Sequence, residues 1–316
     1  MKILFIAPRY TGGIGGHAAM LASKLIDYGF DVKLMQVPNI PVKNLKNPSF
    51  AVISTLKGLI SREKHDIVHA FNVPSAFAMR YAKGRKKVLS IHGVFSDQIK
   101  ALHSSVVSSI ASGAESRVLK WADRLTTDSK TSQKEYMKKL GFDFEYLPSA
   151  IDTLKFKDVS AVAKNENQVA YIGRDSYEKG IDILRRAEPL IKGKVVYCTN
   201  VSWRDAMKTL RGSSLLAVPS RMESLPSNIK EAFYLQRPVV ATNVGGIPEL
   251  ITNNVTGILV PPDDPQRLAE AINQILENKE LVNKLAKAGY DYVIKNMTWD
   301  VVLPKYIEFY EKLAKS

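Results

Sequence analysis

Residues 215–233 decide the fold and read LLAVPSRMESLPSNIKEAF. The apolar run Leu215–Val218 predicts a buried strand, and the spacing of Ile229 and Phe233 behind it predicts a helix. This helix is expected to begin near Pro226, because proline is tolerated in the first helical turn. A strand that leads through a short loop into a helix is the repeating unit of parallel α/β sheets, which bind ligands where their strands end. The loop between strand and helix is therefore a candidate binding site.

Two glutamates flank the start of the predicted helix. Glu223 lies in the loop, and Glu231 lies about two helical turns further along. Carboxylates at this spacing can hold two separated parts of one polar ligand, such as a sugar hydroxyl and a ribose diol. The alternative is one solvated carboxylate and one on the helix surface, which is the common fate of an isolated pair. The two residues alone leave both interpretations open.

The sequence that follows favours the ligand-binding interpretation. Residues 237–250 read RPVVATNVGGIPEL, and residues 257–265 read GILVPPDDP. The whole segment Val218–Ile272 resembles the C-terminal donor domain of the retaining glycosyltransferase family 4, whose hallmark is a glutamate, seven residues and a second glutamate. The resemblance implies that Glu223 contacts the donor sugar and that Glu231 holds the donor ribose hydroxyls.

The loop after the first glutamate departs from the family pattern. Many members have Gly-Phe-Gly there, whereas this chain has Ser224, Leu225 and Pro226. Some members carry related Leu-Pro variants, so the departure bears on the choice of donor more than on donor binding. On this basis Ser224, Leu225, Pro226 and Ser227 are assigned to the donor-binding loop.

A second motif precedes the glutamates and reads YIGRDSYEKG over residues 171–180. A strand is expected to end at Gly173, Arg174 follows it, and Lys179 opens the next helix, so both cations can converge on one anion. The alternative is two unrelated surface cations. The order Gly-Arg, four residues, Lys-Gly matches the family pattern, which implies that Gly173, Arg174 and Lys179 bind the donor diphosphate.

The N-terminal glycine motif, GGIGGH over residues 12–17, lies between a first strand and a predicted helix Ala18–Tyr28. Glycine lets backbone N–H groups approach a phosphate closely, and a helix N-terminus adds partial positive charge. The motif matches neither the Walker lysine pattern nor the dinucleotide GxGxxG spacing. The family resemblance implies that Gly15 and Gly16 contact the donor diphosphate; the alternative is a purely structural turn.

Five histidines are candidates for polar contacts. His92 ends a predicted strand, where a binding residue is expected, and the resemblance implies that it meets the donor sugar. His69 ends another strand and is a weaker candidate for the acceptor side. His17 belongs to the glycine motif and can face either way, whereas His65 and His103 are interpreted as surface or packing residues.

Composition fits a two-domain protein of a reducing compartment. The chain has 316 residues, 45% of them hydrophobic, which is long enough for two domains. Its one cysteine, Cys198, excludes an internal disulfide and a cysteine-based zinc framework. The first residues are too short for a signal peptide, and no apolar run approaches the roughly 18 residues that span a bilayer. We expect a cytoplasmic protein that is soluble or peripheral on the inner membrane face.

The net charge of +14 is concentrated in the first half of the chain, where residues 1–150 carry 22 basic and 11 acidic residues. A cluster at the end of a predicted helix, ahead of a strand, comprises Arg80, Lys83, Arg85, Lys86 and Lys87. Such a cluster attracts phosphates or anionic lipid headgroups, although a solvated surface is an equally good interpretation. No helix-turn-helix, RNP or zinc-finger pattern accompanies the charge, which disfavours nucleic acid.

Eleven short runs rich in β-forming residues alternate with helical patterns in two rounds. The first-round strands are predicted at 3–7, 32–37, 67–70, 88–91, 124–127 and 144–147, and the second-round strands at 169–172, 194–197, 215–218, 239–241 and 258–260. This alternation predicts two parallel sheets with helices on both faces. An apolar stripe from Ile99 to Trp121 predicts a helix that packs on the core.

The fold class is therefore α/β. Together with the resemblance, it implies the glycosyltransferase B (GT-B) architecture, in which two Rossmann-like domains face a central cleft. The expected division is an acceptor-side domain 1–152, a donor domain 153–298 and a C-terminal helix 299–316 that crosses back to the first domain. The linker is expected within residues 149–166.

These expectations combine into one hypothesis. The chain is predicted to be an enzyme, a retaining hexosyltransferase that moves a sugar from a nucleoside diphosphate sugar to a hydroxyl acceptor, on a lipid- or phosphate-linked molecule. The predicted catalytic residues are His92, Arg174, Lys179 and Glu223. No metal or cofactor is expected, because charge on the leaving diphosphate can be stabilised by Arg174, Lys179 and backbone N–H groups. Asp263 and Asp264 are interpreted as a helix cap instead of a metal motif.

Two alternatives stay open. One is a nucleotide-sugar epimerase or hydrolase of the same architecture. The other is a non-catalytic protein that binds anionic lipid. The sequence also leaves open whether Glu223 forms a covalent intermediate, because a same-face route to retention needs no enzyme nucleophile.

Overall fold

The computed structural model describes residues 1–9, 13–37, 46–93 and 113–316, with the backbone alone at 46–48. These residues form two compact units. The first comprises Met1–Ser149 and Val302–Ser316, and the second comprises Ala150–Val301. Each unit is built on one parallel sheet.

The first unit contains a six-stranded sheet in the order β2-β1-β3-β4-β5-β6. Its strands are β1 (Lys2–Ile6), β2 (Asp31–Met35), β3 (His65–Ala70), β4 (Gly84–Ser90), β5 (Arg124–Thr127) and β6 (Glu145–Tyr146). Its described helices are α1 (Gly13–Tyr28), α2 (Lys46–Ile60), α3 (Val73–Tyr81), α4 (113–119) and α5 (Lys130–Leu140).

The second unit contains a five-stranded sheet in the order β11-β10-β9-β7-β8. Its strands are β7 (Gln168–Ile172), β8 (Lys194–Cys198), β9 (Leu215–Val218), β10 (Val239–Thr242) and β11 (Ile258–Val260). The helices that follow are α6 (Ile181–Ala187), α7 (Trp203–Gly212), α8 (Ser227–Tyr234), α9 (Ile247–Leu250), α10 (Pro265–Leu276), α11 (Lys279–Asn296) and α12 (Trp299–Lys315). From Val302 onward, α12 belongs to the first unit.

The predicted fold class is confirmed. All eleven predicted strands are present, and β9 and β10 are buried along their whole length because the sheet is covered on both faces. Separate apolar clusters lie on the two faces of this second sheet, one around Phe233 and Met207 and the other around Leu268. Among the described residues, no helix combines the length and apolarity needed to span a bilayer.

Two local predictions were wrong. Helix α1 begins at Gly13, so Gly15 and Gly16 lie in its first turns instead of in a loop ahead of Ala18. Strand β4 begins at Gly84, so the basic run 85–87 lies inside a strand instead of ahead of it. In both places a buried neighbour outweighs local propensity: Gly15 packs against the unit's interior, and β4 pairs with β3 from its first residue.

Some earlier expectations fall outside the described residues. Gly12, His103 and the part of the apolar stripe before residue 113 lie there. The end of the stripe is described, and Val118 is buried in the core of the first unit.

Candidate functional site

Three loops of the second unit follow neighbouring parallel strands, and their backbones are in close contact. They comprise residues 173–180 after β7, 219–226 after β9 and 243–246 after β10. Gly180 has φ +62°, and a Cβ there would lie 1.9 Å from the Pro219 carbonyl oxygen. Gly245 has φ +52°, and a Cβ there would lie 1.9 Å from the carbonyl oxygen of Glu223. Only glycine therefore permits this packing at both positions.

Glu223 is the centre of the hydrogen bonding in these loops. The Nζ atom of Lys179 donates to its Oε1 at 2.7 Å, and the Ser220 hydroxyl donates to the same oxygen at 2.8 Å. The side chains of Glu223 and Lys179 are 8% and 24% exposed, so this ion pair is shielded but still reachable from solvent. The structure thus brings together two of the predicted catalytic residues, which are 44 positions apart in the chain.

Arg174 takes a different position. Its side chain is 74% exposed and forms an ion pair with Glu178 at 2.8 Å. The hydroxyl of Tyr171 donates to the backbone carbonyl of Arg174 at 2.8 Å, which fixes the backbone that follows Gly173. In this structure Arg174 and Lys179 therefore each pair with a carboxylate of their own.

Arg221, which the sequence analysis did not single out, holds the Glu223 loop in place. Its guanidinium donates to both carboxylate oxygens of Asp182 at 2.7 Å and to Asp263 at 2.6 Å. It also stacks 4.1 Å from the centre of the Tyr177 ring. The hydrogen bonds to Asp182, above all, raise the pKa of Arg221. Asp263 is thus an ion-pair partner, and only Asp264 is the predicted helix cap, accepting from the Arg267 N–H at 2.9 Å.

Glu231 lies on α8 and is half-buried. Its Oε1 accepts a hydrogen bond from the indole Nε1 of Trp203 at 2.8 Å. Burial raises the pKa of Glu231, and the bond from Trp203 opposes that rise. Trp203 stacks edge-on against Phe156, so the carboxylate is held by a packed aromatic side chain. Sequence reasoning missed Trp203, because it lies 28 positions before its partner on another helix.

The start of α8 is tied to the end of β7. The amide of Asn228 donates to the Ile172 carbonyl at 2.9 Å, and its Oδ1 has no hydrogen-bond partner among the described residues. Ser227, at the first helical position, is exposed, whereas Leu225 and Pro226 are buried. Leu225 belongs to the hydrophobic core, so its side chain packs inward.

A second group of polar side chains lies where the strands of the first unit end. Nδ1 of His92, just after β4, is 3.2 Å from Oδ2 of the buried Asp128, just after β5. The rings of His92 and His17 lie 5.5 Å apart, and Nε2 of His17 is 3.1 Å from the Tyr306 hydroxyl. The signal for Asp128 was available in the sequence, since it follows a predicted strand directly.

His69 does not have the acceptor-side role proposed for it. It is fully buried, with Nδ1 2.6 Å from the Tyr310 hydroxyl and Nε2 2.6 Å from the Ser90 hydroxyl. Its ring stacks on Phe71 at 4.1 Å, and burial holds its pKa well below the usual value. His69 is therefore a neutral packing residue, and its neighbours exclude its ring from solvent. His65 is also buried, as the packing interpretation requires.

Comparison with known proteins identifies both units. The model of Glycosyltransferase Family 4 matches residues 11–154, and the model of Glycosyl transferases group 1 matches residues 186–292, which include Glu223 and Glu231. An uncharacterized glycosyltransferase from Methanocaldococcus jannaschii is 22% identical over 98% of both chains.

Solved structures give the same fold. Sucrose-phosphate synthase from Thermosynechococcus elongatus superposes with a TM-score of 0.83 over 100% of both chains at 18% identity. Anabaena HepE in complex with UDP and glucose superposes with a TM-score of 0.73 over 99% of this chain and 100% of that one, at 17% identity.

The two parallel-sheet units and the sequence matches define a glycosyltransferase of the GT-B fold. The chain belongs to the family 4 type of these enzymes, with a family match in each unit.

Proposed function

We propose that this glycosyltransferase moves a hexose-like sugar from a nucleoside diphosphate sugar to a hydroxyl acceptor, with retention of anomeric configuration. No metal or further cofactor takes part in the proposed reaction. The observation that carries the proposal is the shielded Lys179–Glu223 pair, which places a cation and a carboxylate at the converging strand ends of the second unit. The HepE structure, which contains UDP and glucose, supports a nucleotide-sugar donor.

Each part of the donor has a partner among the residues of the second unit. Glu231 accepts hydrogen bonds from the ribose hydroxyls, and the hydrogen bond from Trp203 orients its carboxylate for this contact. Glu223 contacts the sugar, because it lies in the loop ahead of α8. The diphosphate lies against Lys179 and Arg174, where charge-assisted hydrogen bonds hold it.

Bond cleavage places negative charge on the leaving diphosphate while the anomeric carbon becomes oxocarbenium-like. Lys179 stabilises that charge by turning from Glu223 toward the phosphate, and the exposed Arg174 closes over it from Glu178. The first N–H groups of α8 add to this field, since the N-cap residue Pro226 has no side-chain group to cap them. One such preorganised donor contributes about 10²–10³ in rate.

The released diphosphate oxygen is the base in the proposed reaction. The acceptor hydroxyl attacks the anomeric carbon on the face that the diphosphate leaves, and its proton passes to that oxygen. Retention then needs no covalent enzyme intermediate. Within the first unit, Asp128 orients His92, whose contact with the donor sugar stays a prediction from the family resemblance.

The acceptor is proposed to be linked to lipid or phosphate, and the enzyme to act in the cytoplasm as a peripheral protein on the inner membrane face. The excess of basic residues in the first half of the chain supports this location.

A donor panel tests the proposal. The full chain is incubated with UDP-, GDP- and ADP-sugars and a mixed glycan and lipid acceptor extract, and mass spectrometry follows nucleotide release and product mass. One donor is expected to release its nucleotide and to give a product that is one hexose heavier than the acceptor. This turnover should persist in the presence of EDTA. NMR should show that the product keeps the anomeric configuration of the donor. Free sugar in place of product would indicate a hydrolase, an isomerised donor would indicate an epimerase, and loss of turnover in EDTA would contradict metal independence.

A further inference from the structure

Helix α2 exposes an apolar face to solvent. Five aliphatic side chains on one side of the helix are 36–78% exposed: Val52, Ile53, Leu56, Leu59 and Ile60. At 100° per residue they occupy an arc of about 120°. Monomeric proteins rarely leave so many large aliphatic residues contiguous on the surface, because each loses favourable burial there.

The opposite side of α2 is already packed. Phe50 and Ser54 are buried, and Gly58 comes so close to α3 that an added Cβ would lie 3.1 Å from the Ala78 carbonyl oxygen. The helix is thus fixed by one face, and rotation cannot bury the other. The apolar face of α2 therefore stays exposed to solvent when the first unit is folded.

Basic residues border this apolar face. Lys57 is exposed on α2 itself, and the exposed Arg62 and Lys64 follow directly after the helix. The backbone N–H of His65 donates to the Lys83 carbonyl at 3.0 Å, which places the 61–64 loop beside the exposed Lys83. The acidic residue in this loop, Glu63, is bound to Lys33 at 2.7 Å, so the loop keeps its positive charge.

The basic cluster predicted from sequence is only partly available. Lys87 donates to the Arg80 carbonyl, and burial lowers the pKa of Lys87. The Arg80 guanidinium stacks 4.5 Å from the centre of the Trp121 ring. Lys83 and Arg85 stay exposed on either side of Gly84, which pairs with His65 of β3.

Exposed large apolar residues of the second unit differ in arrangement. Leu190, Val201 and Val255 lie singly in separate short segments, which is the ordinary pattern of a protein surface. The combination of an aliphatic arc and a basic border is found on α2.

We propose that the α2 face, residues 52–60 with the basic loop 61–64, docks on a bilayer that contains anionic phospholipid. The aliphatic residues enter the interface while Lys57, Arg62 and Lys64 remain at headgroup level. The inference rests on the proposed function, because docking would bring the enzyme to a lipid-linked acceptor. Its test does not, because vesicle binding is measured without donor or acceptor.

Vesicle co-sedimentation tests the proposal with the full chain. Phosphatidylcholine vesicles with and without phosphatidylglycerol are compared for wild type, Leu56→Ser/Ile60→Ser and Arg62→Gln/Lys64→Gln. We expect wild type to bind the anionic vesicles, and each double variant to bind at least about tenfold more weakly. The control, Leu190→Ser/Val255→Ser, is expected to bind as wild type does, since it removes two exposed aliphatic residues elsewhere.

Three outcomes overturn the proposal. One is a wild-type protein that stays in the supernatant of anionic vesicles. Another is a pair of α2 variants that sediment as wild type does. The third is a wild-type dimer in light scattering that the α2 substitutions dissociate without any change in vesicle binding, because the face would then bind a second copy. Nucleotide binding by calorimetry in free solution is independent of all three, so its failure would count against the proposed transferase and not against docking.

Discussion

The ion pairs of the second unit and the His69 network of the first unit are polar groups of different kinds. The ion pairs join Lys179 with Glu223 and Arg174 with Glu178. In the first unit His69 is bound by the hydroxyls of Tyr310 and Ser90 and is kept neutral by burial. An incoming anion can compete for the cation of a partly exposed ion pair, whereas a fully buried neutral network has no charge that an anion can reach. We therefore expect the ion pairs of the second unit to rearrange if an anion binds there, and the His69 network of the first unit to stay unchanged.

Lys179→Ala gives the largest expected effect, because the diphosphate loses its shielded cation. We expect kcat to fall by about 10²–10³-fold, with steady-state nucleotide release as the measurement. Lys192→Ala is the matched control, since Lys192 forms an exposed pair with Glu277 and should retain full turnover. Equal losses in the two variants would contradict the assignment of Lys179.

Gly245→Ala tests whether the loops depend on close backbone packing. The added Cβ would clash with the Glu223 carbonyl at a positive φ, so we expect a loss of about 2–3 kcal/mol in the free energy of unfolding, together with weaker donor binding. Gly141→Ala also has a positive φ, but a Cβ there meets nothing within 4 Å, so it should cost about 1 kcal/mol and leave donor binding intact. Denaturant titration and calorimetry give both quantities.

Tyr310→Phe examines the rigid network of the first unit. Removing the hydroxyl leaves Nδ1 of the buried His69 without this partner, which is expected to cost about 1–2 kcal/mol of stability. Thermal unfolding should show the loss, and Tyr28→Phe, at an exposed tyrosine, should show none. A stable Tyr310→Phe variant would mean that the network contributes little to holding α12.

Glu231→Gln has an effect on stability that depends on pH. Burial raises the pKa of Glu231 in the folded protein, so the wild type loses stability as pH rises from about 4.5 through that raised value. Glutamine does not titrate, so across this pH window the free energy of unfolding of the variant should rise relative to that of wild type by about 1.4 kcal/mol for each unit of the pKa shift. Donor affinity should fall at the same time.

Denaturant titrations at pH 4.5 and at neutral pH measure that difference. A difference between Glu231→Gln and wild type that stays constant with pH would contradict the raised pKa of Glu231.

The donor-side motifs could be found in the sequence because they are local. Glu223 and Glu231 lie within one strand, loop and helix, and the Gly-Arg and Lys-Gly pairs lie within one loop. Sequence also located every strand, most clearly β9 and β10, which are buried along their whole length in a sheet covered on both faces. The start of α1 was missed, because glycines that look like a loop are helical when packing favours it.

The amino-acid sequence by itself determined the two parallel sheets, the order of the donor motifs and the residues that carry charge. Tertiary structure alone decided their partners: Lys179 with Glu223, Glu231 with Trp203, His92 with Asp128 and His69 with Tyr310, the last pair 241 positions apart. The physical reason is that the spacing of apolar residues along the chain reflects the period of each helix or strand, which is a local property. Which polar groups meet depends instead on how strands are ordered in a sheet, and that order is fixed only when the whole core is packed.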